Sequence, residues 1–147
     1  MADLITVQEY KNAEGLASQK DDQRLDIIVP QVSDLAKKYC GTSFVDYYSS
    51  DKTEEISISD HFTSTIIVSE SPLISVTYVK ERTSYEGEYE TLLTTDYQYY
   101  VDTAADAIVR TTRNGSKKSF AKGLGSVQIA YKAGYSATPK DLKLALF

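Results

Sequence analysis

The sequence predicts an α+β fold, with helices at both ends of the chain and a central block of antiparallel strands. Three observations lead there. Apolar residues repeat at spacings of three and four from Leu25 to Tyr39, the pattern changes to alternation after Ser43-Phe44, and a Thr-Pro pair near the end opens another helix. The division predicted is one domain over 1–147, with a helical part at 1–44 and 138–147 and a β part at 54–133.

The elements follow in order. Thr6-Val7-Gln8-Glu9 is a capping box, so a short helix starts there and ends by Gly15. Asp21 or Asp22 then caps a long helix whose stripe is Leu25, Ile28, Val29, Val32, Leu35, Ala36 and Tyr39. Lys37 and Lys38 favour its last turn and Gly41 ends it, while Pro30 predicts a kink or two shorter helices. Strands are expected at Glu55 to Ser59, Thr65 to Ser69, Leu73 to Val79, Tyr89 to Leu93, Tyr97 to Asp102, Ala107 to Thr112 and Ser126 to Lys132. Within these, Ile74, Val76 and Tyr78 should share one face, and Val127, Ile129 and Tyr131 another. Asn114-Gly115 is the strongest hairpin signal. Thr138-Pro139 starts a helix at residue 139. It reaches Phe147 after about two turns; either Leu142, Ala145, Leu146 and Phe147 dock on a partner, or the sequence is cut from a longer protein.

Composition narrows the function. With 41% hydrophobic and 25% charged residues the chain should fold, and no apolar run approaches a membrane span. The start Met1-Ala2-Asp3-Leu4-Ile5 lacks the features of a signal peptide, which predicts synthesis in a cytosol. A net charge of −5 argues against nucleic-acid binding over the whole surface. One cysteine, Cys40, and one histidine, His61, cannot build a disulfide or a metal site, and no nucleophile elbow or phosphate loop is present. Neither an enzyme nor a cofactor-binding protein is expected; Cys40 reads as a buried structural thiol and His61 as a surface or structurally satisfied residue. Twelve tyrosines with no tryptophan suit strands and surfaces buried against a partner. Arg110, Arg113, Lys117, Lys118 and Lys122 form an acid-free run around the Asn-Gly turn, either a solvated tip or a contact for phosphates or an acidic neighbour.

Two stretches carry a resemblance. Lys38-Tyr39-Cys40-Gly41-Thr42-Ser43-Phe44, closing the long helix, is similar to the opening of head-to-tail connector (adaptor) proteins of tailed bacteriophages. The run from Val127 through Ala133-Gly134-Tyr135 to Pro139-Lys140-Asp141-Leu142 resembles that family's strand, turn and final helix. Ser71 to Val76 and Asp96 to Tyr99 look like its paired strands, whereas Pro30 and the short last helix depart from its pattern.

The resemblance implies a structural virion protein in the neck between head and tail, assembled in host cytoplasm as a ring of about twelve identical subunits. Its partners would be further copies of itself, the portal protein, a stopper or tail-completion protein and the packaged DNA passing through the channel, without a membrane. The basic hairpin would meet DNA or a partner, and the last helix would dock on the portal. The competing reading is a monomeric β-rich module that binds a ligand or protein at a concave tyrosine cluster; a small enzyme would need His61 or Cys40 gathered with carboxylates.

Overall fold

The structure, a computed structural model, describes residues 2–147. Its elements are α1 (Val7–Glu14), α2 (Asp22–Cys40), β1 (Lys52–Ile58), β2 (Thr65–Ile67), β3 (Leu73–Glu81), β4 (Glu90–Leu92), β5 (Tyr99–Asp102), β6 (Ala107–Arg110), β7 (Gly123–Ala133) and α3 (Lys140–Leu146). The strands form a four-stranded antiparallel sheet, β1-β7-β3-β4, and a three-stranded one, β2-β6-β5. The α+β class read from the sequence is the class observed. β3 and β5 belong to different sheets, so the segments 71–76 and 96–99 are not paired with each other as the resemblance implied.

The alternating residues of β7 explain its central place. Val127, Ile129, Tyr131 and Ala133 all face one way and are almost fully buried, between β1 on one side and β3 on the other. Residues from both sheets meet them: Ile58, Leu73 and Val79 from the larger, Ile66 and Ile108 from the smaller, with Phe120 filling between. β3 does not obey the simple alternation expected of it. Its register against β7 slips between Leu73 and Ser75 and again between Val76 and Tyr78. Each bulge sets two residues against one, so the inward positions become Leu73, Val76 and Val79. Ile74 is consequently exposed, and Tyr78 turns outward, where its hydroxyl donates to Gln128 Oε1 at 3.4 Å and Lys80 lies over its ring.

In the helices the capping box forms as expected, with Thr6 Oγ1 accepting from Glu9 N–H and Glu9 Oε2 accepting from Thr6 N–H. Gly15, at φ 70°, ends α1, and Leu16 N–H donates back to Lys11 at 2.8 Å. Asp21 stands at the N-cap of α2 but makes no capping bond, and Asp22 pairs with Lys11 of α1. α2 continues through Pro30 as one helix. Its most buried row is Val29, Ser33 and Lys37, so of the predicted stripe Val29 is buried and Leu25, Ile28, Val32 and Ala36 are half-buried. Ser33 Oγ accepts from Leu4 N–H at 3.0 Å, and Lys37 pairs with Asp46 at 3.0 Å while capping the Ala2 carbonyl. These polar anchors turn the helix, leaving Leu35 and Tyr39 outside. α3 begins one residue later than expected, because Pro139 keeps an extended ψ of 145° as the N-cap and Thr138 contributes no cap.

Helices and sheets are joined at two places. The Glu70 carboxylate is buried, accepts from Thr42 Oγ1 at 2.7 Å and from Ser43 N–H at 3.1 Å, and pairs with Lys52. At the end of β7, Tyr135 N–H donates to the Phe44 carbonyl, and Gly134, at φ 104°, lies against that carbonyl. A Cβ on Gly134 would stand 2.3 Å from the Phe44 oxygen. Gly134→Ala should therefore destabilise the fold by about 3 kcal/mol or more, read as a shift in the urea midpoint.

Tyr131 sits beside this joint, its hydroxyl donating to Glu54 Oε2 at 2.9 Å. Burial, ahead of the neighbouring Glu54 charge, pushes its phenol from the usual 10 up to about 12. Since the folded state holds this proton more tightly, its stabilisation is complete below pH 10 and is lost as pH rises towards 12. Thermal melts across that window should show a smaller loss in Tyr131→Phe than in the unaltered chain.

Candidate functional site

Among the described residues, no three His, Cys, Asp or Glu side chains gather in a way that would hold a metal ion. His61 is exposed, its carbonyl accepting from Ser119 Oγ. Cys40 is exposed as well, which corrects the expectation of a buried thiol: it stands on the outward side of the last turn of α2, away from the Val29, Ser33 and Lys37 row. The neighbouring Asp60 carboxylate is held below its ordinary range by the N–H of Phe62 and then the Thr63 hydroxyl, the mark of a tight turn.

The chain's outward features are apolar and charged surfaces, and three are well defined. The first is a groove of about 470 Å³ between the helices, lined by Ile5, Leu16, Leu25, Ile28, Val32 and Phe147 among others. Of the predicted docking residues, Leu146 and Phe147 line it, Leu142 is half-buried and Ala145 is exposed. α3 is tied to α1 by Lys143 and Glu9, and that bond, ahead of the Thr6 backbone N–H, holds the Glu9 carboxyl below its usual range.

The second surface is a cleft of about 470 Å³ on the smaller sheet, with Tyr97, Tyr100, Val109 and Thr111 as walls and Arg113 and Lys117 at the rim. The turn that carries these cations is a hairpin of the bulged, three-residue kind. Thr112 N–H donates to Ser116, Gly115 N–H donates back to Thr112, and Gly115 alone has the positive φ. Beyond it, strand pairing is limited to a bridge between Thr111 and Lys117, so β6 ends at Arg110. Tyr97 has φ 58°, which ends the run expected from Tyr97 and delays β5 to Tyr99.

The five cations of residues 110–122 do not share one surface. Arg110 points inward and is buried, donating to Glu81 Oε1 at 2.8 Å and to the Gln98 carbonyl at 2.7 Å. Side chains alternate along β6, and Arg110 shares the inward parity of Ile108. Arg113 remains outside, paired at 3.3 Å with Asp96. Lys117, Lys118 and Lys122 are exposed, and none is in an ion pair among the described residues.

The third surface is the loop between β3 and β4. Arg82 lies 5.2 Å from the Tyr85 ring and 4.7 Å from that of Tyr89, whose hydroxyl donates to the Gly125 carbonyl at 2.6 Å. Tyr85, 74% exposed, is thereby held outward next to exposed Glu86, Glu88 and Glu90. Sequence reasoning assigned this loop no role, and it missed Tyr97 and Tyr100 as the walls of a cleft. The abundance of tyrosine was the available signal; which rings face outward depends on bulges and left-handed residues that composition does not report.

Exposed aromatic and charged surfaces of this kind are what a structural protein that binds other proteins presents. Matching against protein families agrees: the model of the head completion protein family covers residues 3–147. The chain belongs to that family of bacteriophage head-tail connectors, structural proteins of the virion head that take part in joining head to tail and are not known as enzymes. No curated protein matches the chain. No described helix is long and apolar enough to cross a membrane.

The two kinds of cation should separate on substitution. Arg110→Ala leaves the partly buried Glu81 without its ion-pair partner and should cost about 3 kcal/mol of stability, whereas Lys118→Ala should stay within about 0.5 kcal/mol of the unaltered chain, both read by denaturant unfolding.

Proposed function

We propose that the chain forms a homo-oligomeric ring of about twelve copies in the virion neck, seated between the portal and a stopper or tail-completion protein. Packaged DNA passes through its opening. The observation that carries this reading is the distribution of large exposed apolar side chains. They lie on α2 (Ile27, Leu35, Tyr39), on the smaller sheet (Ile67, Tyr100) and in the β3–β4 loop (Tyr85). One binding site would need one such patch; a subunit with neighbours on two flanks and partners above and below needs several.

In this reading residues 1–147 act as one connector unit, held together at Glu70 and Gly134. Leu146 and Phe147, with Leu142 and Ala145 on the same helix, contribute the portal-docking surface. Arg113, Lys117, Lys118 and Lys122 face a protein neighbour or the DNA backbone, while Arg110 keeps its internal role. A net charge of −5 suits a channel wall past which DNA slides without adhering. The tyrosine cleft is the one feature that favours the competing reading, a monomeric module binding a ligand or protein there.

Light scattering across concentration, on the chain alone and with its portal protein, decides between them. A ring, formed alone or on adding the portal protein, is expected. A strict monomer indifferent to the portal protein would move the assignment to the binding module.

A further inference from the structure

Two surfaces described above are left unsatisfied within the chain, and they are complementary. The cleft on the smaller sheet offers aromatic walls, Tyr97 and Tyr100, about 60% exposed, under a rim of Arg113 and Lys117. Lys118 and Lys122 follow on the same segment, exposed and free of ion pairs among the described residues. Asp96 engages Arg113 only at the surface, and Asp102 in the cleft wall accepts from its own loop at Ala105 N–H. The β3–β4 loop has the opposite character: Glu86 and Glu88, with Glu90 at the start of β4, none in an ion pair among the described residues, around the outward ring of Tyr85. Its one cation, Arg82, is taken up by the Tyr85 and Tyr89 rings and the Leu124 carbonyl.

Both surfaces are held rather than merely exposed. Tyr97 keeps a left-handed backbone at φ 58°, which costs energy in a residue other than glycine. The conformation is fixed because Thr111 Oγ1 donates to the Tyr97 carbonyl at 2.7 Å and Tyr97 N–H donates to Thr94 at 3.0 Å. Strain maintained in this way collects at sites that grip a ligand. Tyr85 is braced by Arg82, so it presents an aromatic anchor at low entropic cost on binding.

Resting on the ring reading above, we infer that the Tyr97–Tyr100 cleft of one copy receives the acidic β3–β4 loop of a second copy, with Tyr85 entering between the tyrosines and Glu86 and Glu88 meeting Lys117 and its neighbours. Cleft and loop are different surfaces, so the contact is head-to-tail, the kind that propagates around a ring. Opposed charges fix its direction and disfavour cleft-to-cleft and loop-to-loop encounters.

The test is the solution mass of the full chain across concentration and salt, with portal protein added if the chain alone is monomeric. It compares the unaltered protein with Lys117→Glu, with Glu86→Lys/Glu88→Lys, and with a chain carrying all three changes. Circular dichroism and thermal melts confirm that each variant folds, as expected for exposed positions. Either partial variant should raise the dissociation constant between subunits by about tenfold or more. The triple variant, and an equimolar mixture of the two partial variants, should recover association, because every cleft then finds a loop of opposite charge. Rings that assemble equally well in all four forms would overturn the contact and leave the ring standing. Weakening that neither the triple variant nor the mixture recovers would also overturn it, since the two surfaces would then act on different partners. A folded chain that stays monomeric with and without portal protein removes the ring and the contact together.

Discussion

The buried carboxylate of Glu70 is the point on which the arrangement of this molecule turns. A carboxylate taken out of water must find donors, and Glu70 finds them on both sides of the helix-to-sheet boundary: Thr42 and Ser43 just after α2, and Lys52 at the start of β1. That requirement brings the end of the long helix down onto the edge of the larger sheet. Once there, the chain from Phe44 to Tyr47 runs close enough to the end of β7 to accept from Tyr135 N–H and Ala133 N–H. Only glycine fits at position 134 in such an approach. The inward row of α2 is set by the same demand, since Lys37 reaches Asp46 in the segment that Glu70 anchors.

From this joint follows what the protein shows to its surroundings. A helix oriented by Ser33 and Lys37 cannot also bury Leu35 and Tyr39, so part of its apolar stripe stays in water, next to the groove that α3 borders. The sheets behave similarly. Two bulges in β3 and the left-handed Tyr97 before β5 shift the parity of the strands, sending Ile74, Tyr78 and Tyr97 outward. In a protein that worked alone these would be faults in packing. In the ring reading proposed above they are the surfaces that neighbouring copies and partners would cover.

The charge distribution suits the same reading. Arg110 is used internally, bridging the two sheets through Glu81, and its removal from the surface leaves Arg113, Lys117, Lys118 and Lys122 as the cationic part. Glu86 and Glu88, in no ion pair among the described residues, lie elsewhere, in the β3–β4 loop. A chain with a net charge of −5 is thereby polar in direction as well as in sum, a property that matters more for assembly in one orientation than for strength of binding.

The sequence by itself determined the elements, the antiparallel α+β class and the alternation of β7, because these depend on periodicity and on caps that lie within a few residues of one another. Thr6 with Glu9, Gly15, Gly41 and the Val127–Ile129–Tyr131 row all act locally. It also carried the family resemblance in the segments that close α2 and open α3. Tertiary structure alone decided which face of α2 turns inward, that β3 follows a three-residue spacing, that Arg110 is internal, and that Tyr97 and Tyr100 wall a cleft. Each of these depends on groups distant in the chain: Leu4 with Ser33, Glu81 with Arg110, Thr111 with Tyr97. A buried polar group is placed by the donor or acceptor that satisfies it, and no local pattern of residues names that partner.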